Sequence, residues 1–195
     1  MLNLCDAVCV TPPANSTGLM HKLAMKSGFR STSTLDGAAP DGPIRFYLVD
    51  YRVDDRRKEQ IISRVRGSGS NNVKYAPVIL IVGNCPADAI LTYSRYGFDD
   101  IVTLPQRAQA LAERFEAQLN RECLYYETET YFGPDRRRWS RSPGRETGKT
   151  TAVHFEHRFS RDPTIGVRFG RRTMQPPSMV PGLLDTMERL QRMHR

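Results

Sequence analysis

The sequence predicts an α/β protein with a doubly wound parallel sheet, and three stretches carry that prediction. Ala7–Val10, Ile44–Val49 and Pro77–Val82 are short apolar runs ended by turn-prone residues. Unbroken apolar runs of this length suit strands buried on both faces of a parallel sheet. Between them lie amphipathic stretches with helical spacing, and strands alternating with helices give the doubly wound arrangement.

In order, Ala7–Val10 predicts the first strand, and Ser16 or Thr17 caps a helix through about Lys26 that Gly28 closes. Residues 30–43 hold a weak second strand. Ile44–Val49 runs into Asp50, and a helix follows over about 56–66 with Ile61, Ile62 and Val65 on one face. Pro77–Val82 is the most apolar run. A helix over 87–96, a short strand at 101–103 and a helix from Gln106 to about Glu122, with Leu111, Phe115 and Leu119 four apart, complete the domain. The expected division is a domain at 1–122 and a basic extension at 123–195.

The charge is uneven. The formal net charge is +8; residues 1–120 carry fourteen Lys/Arg against twelve Asp/Glu, and residues 121–195 carry fifteen against nine. A basic extension implies an anionic partner. The four cysteines show no CxxC spacing and read as reduced thiols. No apolar run approaches the ~18 residues that span a bilayer, and no basic residue precedes Lys22, which argues against a signal peptide. A cytoplasmic location without a membrane span is expected.

Asp50, Pro77–Gly83 (PVILIVG) and Gly97–Pro105 (GFDDIVTLP) together resemble the receiver domain of bacterial response regulators, the CheY-like family. The resemblance covers residues 5–122 and implies a phospho-acceptor position at Asp50. It also implies an acidic pair after the first strand, a Ser/Thr after the fourth and a Lys before a proline. Those positions hold Thr11 and Pro12, Val82, and Leu104. Phosphoryl transfer depends on metal and cations to neutralise the transferring group, so the chain reads as a pseudo-receiver with no catalytic residue and no metal, Mg²⁺ included. Asp6, Asp54 and Asp55 lie away from the motif.

In the extension, residues 131–141 pack Arg136, Arg137, Arg138 and Arg141 with Tyr131, Phe132 and Trp139. Gly133-Pro134 predicts a turn that fans out the arginines following Asp135. Guanidinium groups pair with phosphates and stack on bases, with Trp139 or Tyr131 as a second stacking surface. This YFGPDRRR stretch resembles the arginine-rich extensions of the Cle group of CheY-like proteins. That resemblance implies cyclic di-GMP as ligand and Asp135 as part of the site. A basic linker paired to Glu127, Glu129 and Asp135 is the alternative.

Residues 151–170 predict a β-hairpin, with Ser160–Pro163 between its strands and His154 and His157 on opposite faces. Residues 181–193 predict a helix that docks on the chain itself or a twin subunit, as in a homodimer. The P-loop-like run at 144–150 has three residues between its glycines and no flanking strand, and reads as chance. The expected function is a non-enzymatic signalling adaptor acting on a protein partner such as a kinase, flagellar or chemotaxis component. The alternatives are a response regulator phosphorylated on Asp50 and a DNA-binding transcription regulator using the basic extension.

Overall fold

The computed structural model describes residues 1–12, 17–37, 42–83, 90, 92, 93, 96–135 and 154–175. Strands β1 (Asp6–Val10), β2 (Ser31–Thr34), β3 (Arg45–Asp50), β4 (Val78–Val82) and β5 (Asp100–Thr103) form one parallel sheet in the order β2-β1-β3-β4-β5. Helices α1 (Thr17–Lys26), α2 (Asp55–Arg66) and α3 (Asn71–Lys74) precede β4, and α4 (Ala108–Glu116) follows β5.

The apolar runs are continuous because successive side chains enter two different cores. Phe46 and Leu48 pack with Met20, Ala24 and Phe115 on the α1/α4 face, while Tyr47 and Val49 pack with Ile61, Ile62 and Val65 on the α2 face. Helices on both sides leave no polar face on β1 or β4, and both are buried throughout. On the first face Phe29 meets Phe46 edge-on at 5.0 Å and Phe115 at 5.5 Å.

The helix ends follow local chemistry. Asp54 caps α2, its carboxylate accepting the Arg57 N–H at 2.9 Å. After α1 the chain turns at Gly28, whose φ of +97° is a conformation that glycine adopts without strain. The expected helix to Glu122 is shorter: α4 stops at Glu116, and turns at Gln118 and Leu119 lead to Asn120 at φ +49°. Asn tolerates the left-handed region, and its N–H reaches the Arg161 carbonyl at 2.9 Å. The chain then reverses into a strand at Glu122. The helix expected at 87–96 falls for the most part outside the described residues.

Strands β6 (Glu122–Glu127), β7 (Phe132–Pro134), β8 (His154–Asp162) and β9 (Gly166–Gln175) form a second, antiparallel sheet in the order β7-β6-β8-β9. The expected hairpin is present as β8 and β9 but turns later than the sequence suggested. Ser160, Arg161 and Asp162 belong to β8, and residues 163–165 make the turn, with the Asp162 carboxylate accepting the Thr164 N–H at 2.9 Å. Gly133-Pro134 is not a turn either. It lies in β7 at the sheet's edge, where a proline forfeits no ladder hydrogen bond. The turn sits earlier, where the Thr128 hydroxyl accepts the Tyr131 N–H at 3.0 Å. The helix expected at 181–193 lies outside the described residues. Among the described residues, no helix is long and apolar enough to cross a membrane.

The second sheet packs on the first domain around Tyr75. Its ring lies 4.5 Å from Phe159 and 5.7 Å from Phe132, and Phe159 meets Tyr125 edge-on at 4.8 Å. This contact is at the amino ends of β4 and β5, away from the carboxyl end that carries Asp50.

Candidate functional site

Asp50 is the last residue of β3, paired in register with Ile81, and only 6% exposed. A carboxylate there needs hydrogen-bond partners, and Arg52 supplies them. Arg52 Nε donates to Oδ1 at 3.0 Å and its terminal nitrogen to Oδ2 at 2.7 Å, while the Arg52 backbone N–H adds a third bond at 2.9 Å. The bidentate fork raises the Arg52 pKa above its ordinary value.

The surroundings are apolar. A cavity of about 260 Å³ opens beside Asp50 between Leu19, Met20, Leu23, Ile81 and Leu104. Val82 ends β4 with its side chain in the opposite core, and the Leu104–Pro105 peptide is cis. Thr11 and Pro12 follow β1 on the far side of Arg52, along a separate cavity of about 630 Å³.

The other carboxylates of this half do not converge on Asp50. Asp6 starts β1 at the opposite end of the sheet and is fully buried. It accepts bonds from Arg30 at 2.7 and 3.0 Å, from the Ser31 hydroxyl and from the Gly42 N–H, both at 2.7 Å. Burial pushes its pKa up, but these donors outweigh that and hold it below the usual range. Asp54 caps α2 and Asp55 pairs with Lys58 at 2.8 Å. Among the described residues, no group of three or more His, Cys, Asp or Glu side chains gathers as a metal-ligand set. Burial pushes the Cys5 and Cys9 thiols up to about 12, so neither is a nucleophile at neutral pH.

Of the residues expected to hold an anionic ligand, Tyr131 and Asp135 are described; Arg136, Arg137, Arg138, Trp139 and Arg141 lie outside the described residues. Tyr131 precedes β7, and its hydroxyl donates to the Pro134 carbonyl at 3.0 Å. The Asp135 N–H donates to the Leu124 carbonyl at 3.0 Å. Asp135 also lines a cavity of about 610 Å³ between α4 and β6, together with Arg114, Arg121 and Arg158. Two of those arginines already hold carboxylates: Arg114 is bidentate on Asp100, and Arg158 reaches Glu122 at 2.7 Å.

A buried network that sequence reasoning missed joins the two sheets. Asp99 accepts from Arg161 and from the Tyr125 hydroxyl, each at 2.6 Å, on one oxygen. Its other oxygen accepts from Arg66 at 2.7 Å and from the Val78 N–H at 2.8 Å. Burial pushes the carboxyl up, yet Arg161 and Arg66 hold it down at about 2. Other guanidinium donors find carbonyls, Arg66 those of Lys74 and Ala76 and Arg161 that of Tyr75, while Arg66 Nε is buried with no partner among the described residues. The signal was present in the strand alternation, since Arg161 shares the parity of His157 and Phe159.

Next to it, His157 lies between the Tyr75 hydroxyl at 2.9 Å and Glu127 at 2.7 Å. Burial lowers its pKa, outweighing Glu127, with Arg172 and Lys74 adding to the effect. The neutral ring therefore donates Nε2–H to Glu127 and accepts the Tyr75 O–H at Nδ1. His154 faces the other side of β8, with its ring 5.3 Å from Tyr126. Compared with models of known protein families and with curated proteins, the chain matches none.

Proposed function

We propose that this chain is a non-enzymatic bacterial signalling adaptor: a CheY-like pseudo-receiver whose arginine-rich stretch binds an anionic ligand, cyclic di-GMP being the first candidate. The observation that carries the reading is the state of Asp50. Its carboxylate is clamped by Arg52 beside leucines, where phosphoryl transfer requires a second carboxylate, a metal and a cation near the leaving oxygen. The strand order β2-β1-β3-β4-β5 is also that of CheY, which supports the family resemblance. A domain of this kind signals through its surface to a protein partner rather than by chemistry.

Two measurements test this. Acetyl phosphate with Mg²⁺ should add no phosphate mass to the protein; stoichiometric labelling of Asp50 would instead establish a working receiver. Calorimetry of the full chain against cyclic di-GMP, cyclic di-AMP, GTP and a duplex DNA should show saturable binding of a cyclic dinucleotide. A second reading, a DNA-binding regulator, draws on the exposed Arg168, Arg171 and Arg172 of β9. Binding of the duplex alone, with steep salt dependence, would favour it.

A further inference from the structure

The second sheet has two edges, and they differ. The β7 edge is three residues long, contains Pro134, and is closed by the first domain: a Cβ on Gly133 would stand 3.2 Å from the Gly97 Cα. The β9 edge is ten residues long, and among the described residues no strand pairs with its outer side. Among the described residues only its beginning is covered, where the Asn72 side chain accepts the Val167 N–H at 2.8 Å. From Arg168 onward a row of backbone donors and acceptors faces outward, the arrangement that templates an added strand.

The side chains on that edge divide by face. Phe169, Arg172 and Met174 stand opposite Phe159, His157 and Phe155, on the side packed around Tyr75. Arg168 and Arg171 stand opposite Ser160 and Arg158 on the other side. Phe169 and Met174 are 43% and 61% exposed although large and apolar. Arg168 and Arg171 are exposed, with no carboxylate within ion-pair distance among the described residues. No acidic residue lies on β9.

We infer that β9 is a docking edge for an extended acidic segment of a partner protein, which adds to the sheet as a fifth strand. The incoming strand alternates. Its acidic residues lie beside Arg168 and Arg171, and its apolar residues lie beside Phe169 and Met174. A second copy of β9 is disfavoured as occupant, because it would bring a second set of arginines and no carboxylate to the edge. A nucleic acid would meet the same arginines but offers no backbone to satisfy the outward N–H and C=O groups. The bulge at Gly170, between Arg158 and Phe159 on the facing strand, interrupts the ladder once and leaves the edge open on either side.

The test is fluorescence anisotropy of the full chain with a labelled probe, acetyl-Glu-Val-Glu-Ile-Glu-Val-Glu-Thr-amide. Binding should saturate and fall about tenfold in the Arg168→Glu/Arg171→Glu variant, the loss expected for two exposed charge pairs reversed. The same peptide N-methylated at every residue keeps its charge but loses the N–H donors of both edges, so it cannot pair as a strand and should not bind. Equal binding of the N-methylated peptide would reduce the surface to a charged patch and overturn the inference. So would failure of the unmodified peptide to bind, or tighter binding of a single-stranded oligonucleotide lost in the same variant.

Discussion

The guanidinium of Arg161 and the carboxylate of Asp99 meet at 2.6 Å with side-chain exposures of 1% and 3%. Arg161 belongs to β8 of the second sheet and Asp99 to the turn before β5 of the first. The pair therefore fastens the basic extension to the amino end of the parallel sheet.

Removing one partner of a buried pair strands the other charge, which typically costs about 3–5 kcal/mol. Arg161→Ala is expected to lose an amount of this order in urea denaturation. Asp99→Asn, which leaves the buried guanidiniums of both Arg66 and Arg161 without their counter-charge, should lose at least as much. Loss below 1 kcal/mol in Arg161→Ala would mean that the sheets are not coupled through this pair.

Gly133 is a packing residue rather than a turn residue. A Cβ there would stand 2.7 Å from the Tyr131 hydroxyl and 3.2 Å from the Gly97 Cα. The backbone of Gly97 cannot yield as a flexible side chain can. Gly133→Ala should cost about 1–3 kcal/mol, in the range of overpacked sites, whereas Gly69→Ala, with open space around it, should change little. Thermal unfolding of the two variants side by side distinguishes them.

Acidification should weaken the fold in two stages. His157 has a folded pKa below its ordinary 6.5, so the unfolded chain takes up the proton first. Its contribution is complete above that value and is lost as pH falls from 6.5 towards the folded pKa. Asp99, held at about 2 against an ordinary 3.8, adds a second loss as pH falls through that lower window. Urea midpoints between pH 8 and 5 should decline in the wild type and stay flat in His157→Gln. An unchanged slope in the variant would assign the first stage to another group.

The arginines at 136, 137, 138 and 141 should act through their planar forks. A charge-assisted contact contributes about 1.5–3 kcal/mol, so replacing two of them by Ala should weaken cyclic di-GMP binding by about two orders of magnitude or more. Replacement of all four by Lys keeps the charge but loses bidentate pairing and stacking. Calorimetry should show nucleotide binding lost and attraction to heparin retained; equal nucleotide affinity would leave a basic linker.

The sequence by itself determined the parallel sheet. A strand covered on both faces needs apolar residues at every position, and Phe46–Val49 and Val78–Val82 declare that without any distant partner. It also placed Asp50 at a strand's carboxyl end and the hairpin in the extension, because both are local patterns. Only the tertiary structure decided where the hairpin turned, why Gly133-Pro134 runs straight, and that α4 stops at Glu116. Each of these depends on a contact distant in sequence: Arg161 with Asp99, Gly133 with Gly97, Asn120 with Arg161. The partner of Asp50 was equally hidden, because Arg52 reads as a surface residue until the turn after β3 brings its fork onto the carboxylate. Patterns of burial repeat along the chain and can be read from it; pairings between buried charges arise only once separate segments share the same interior.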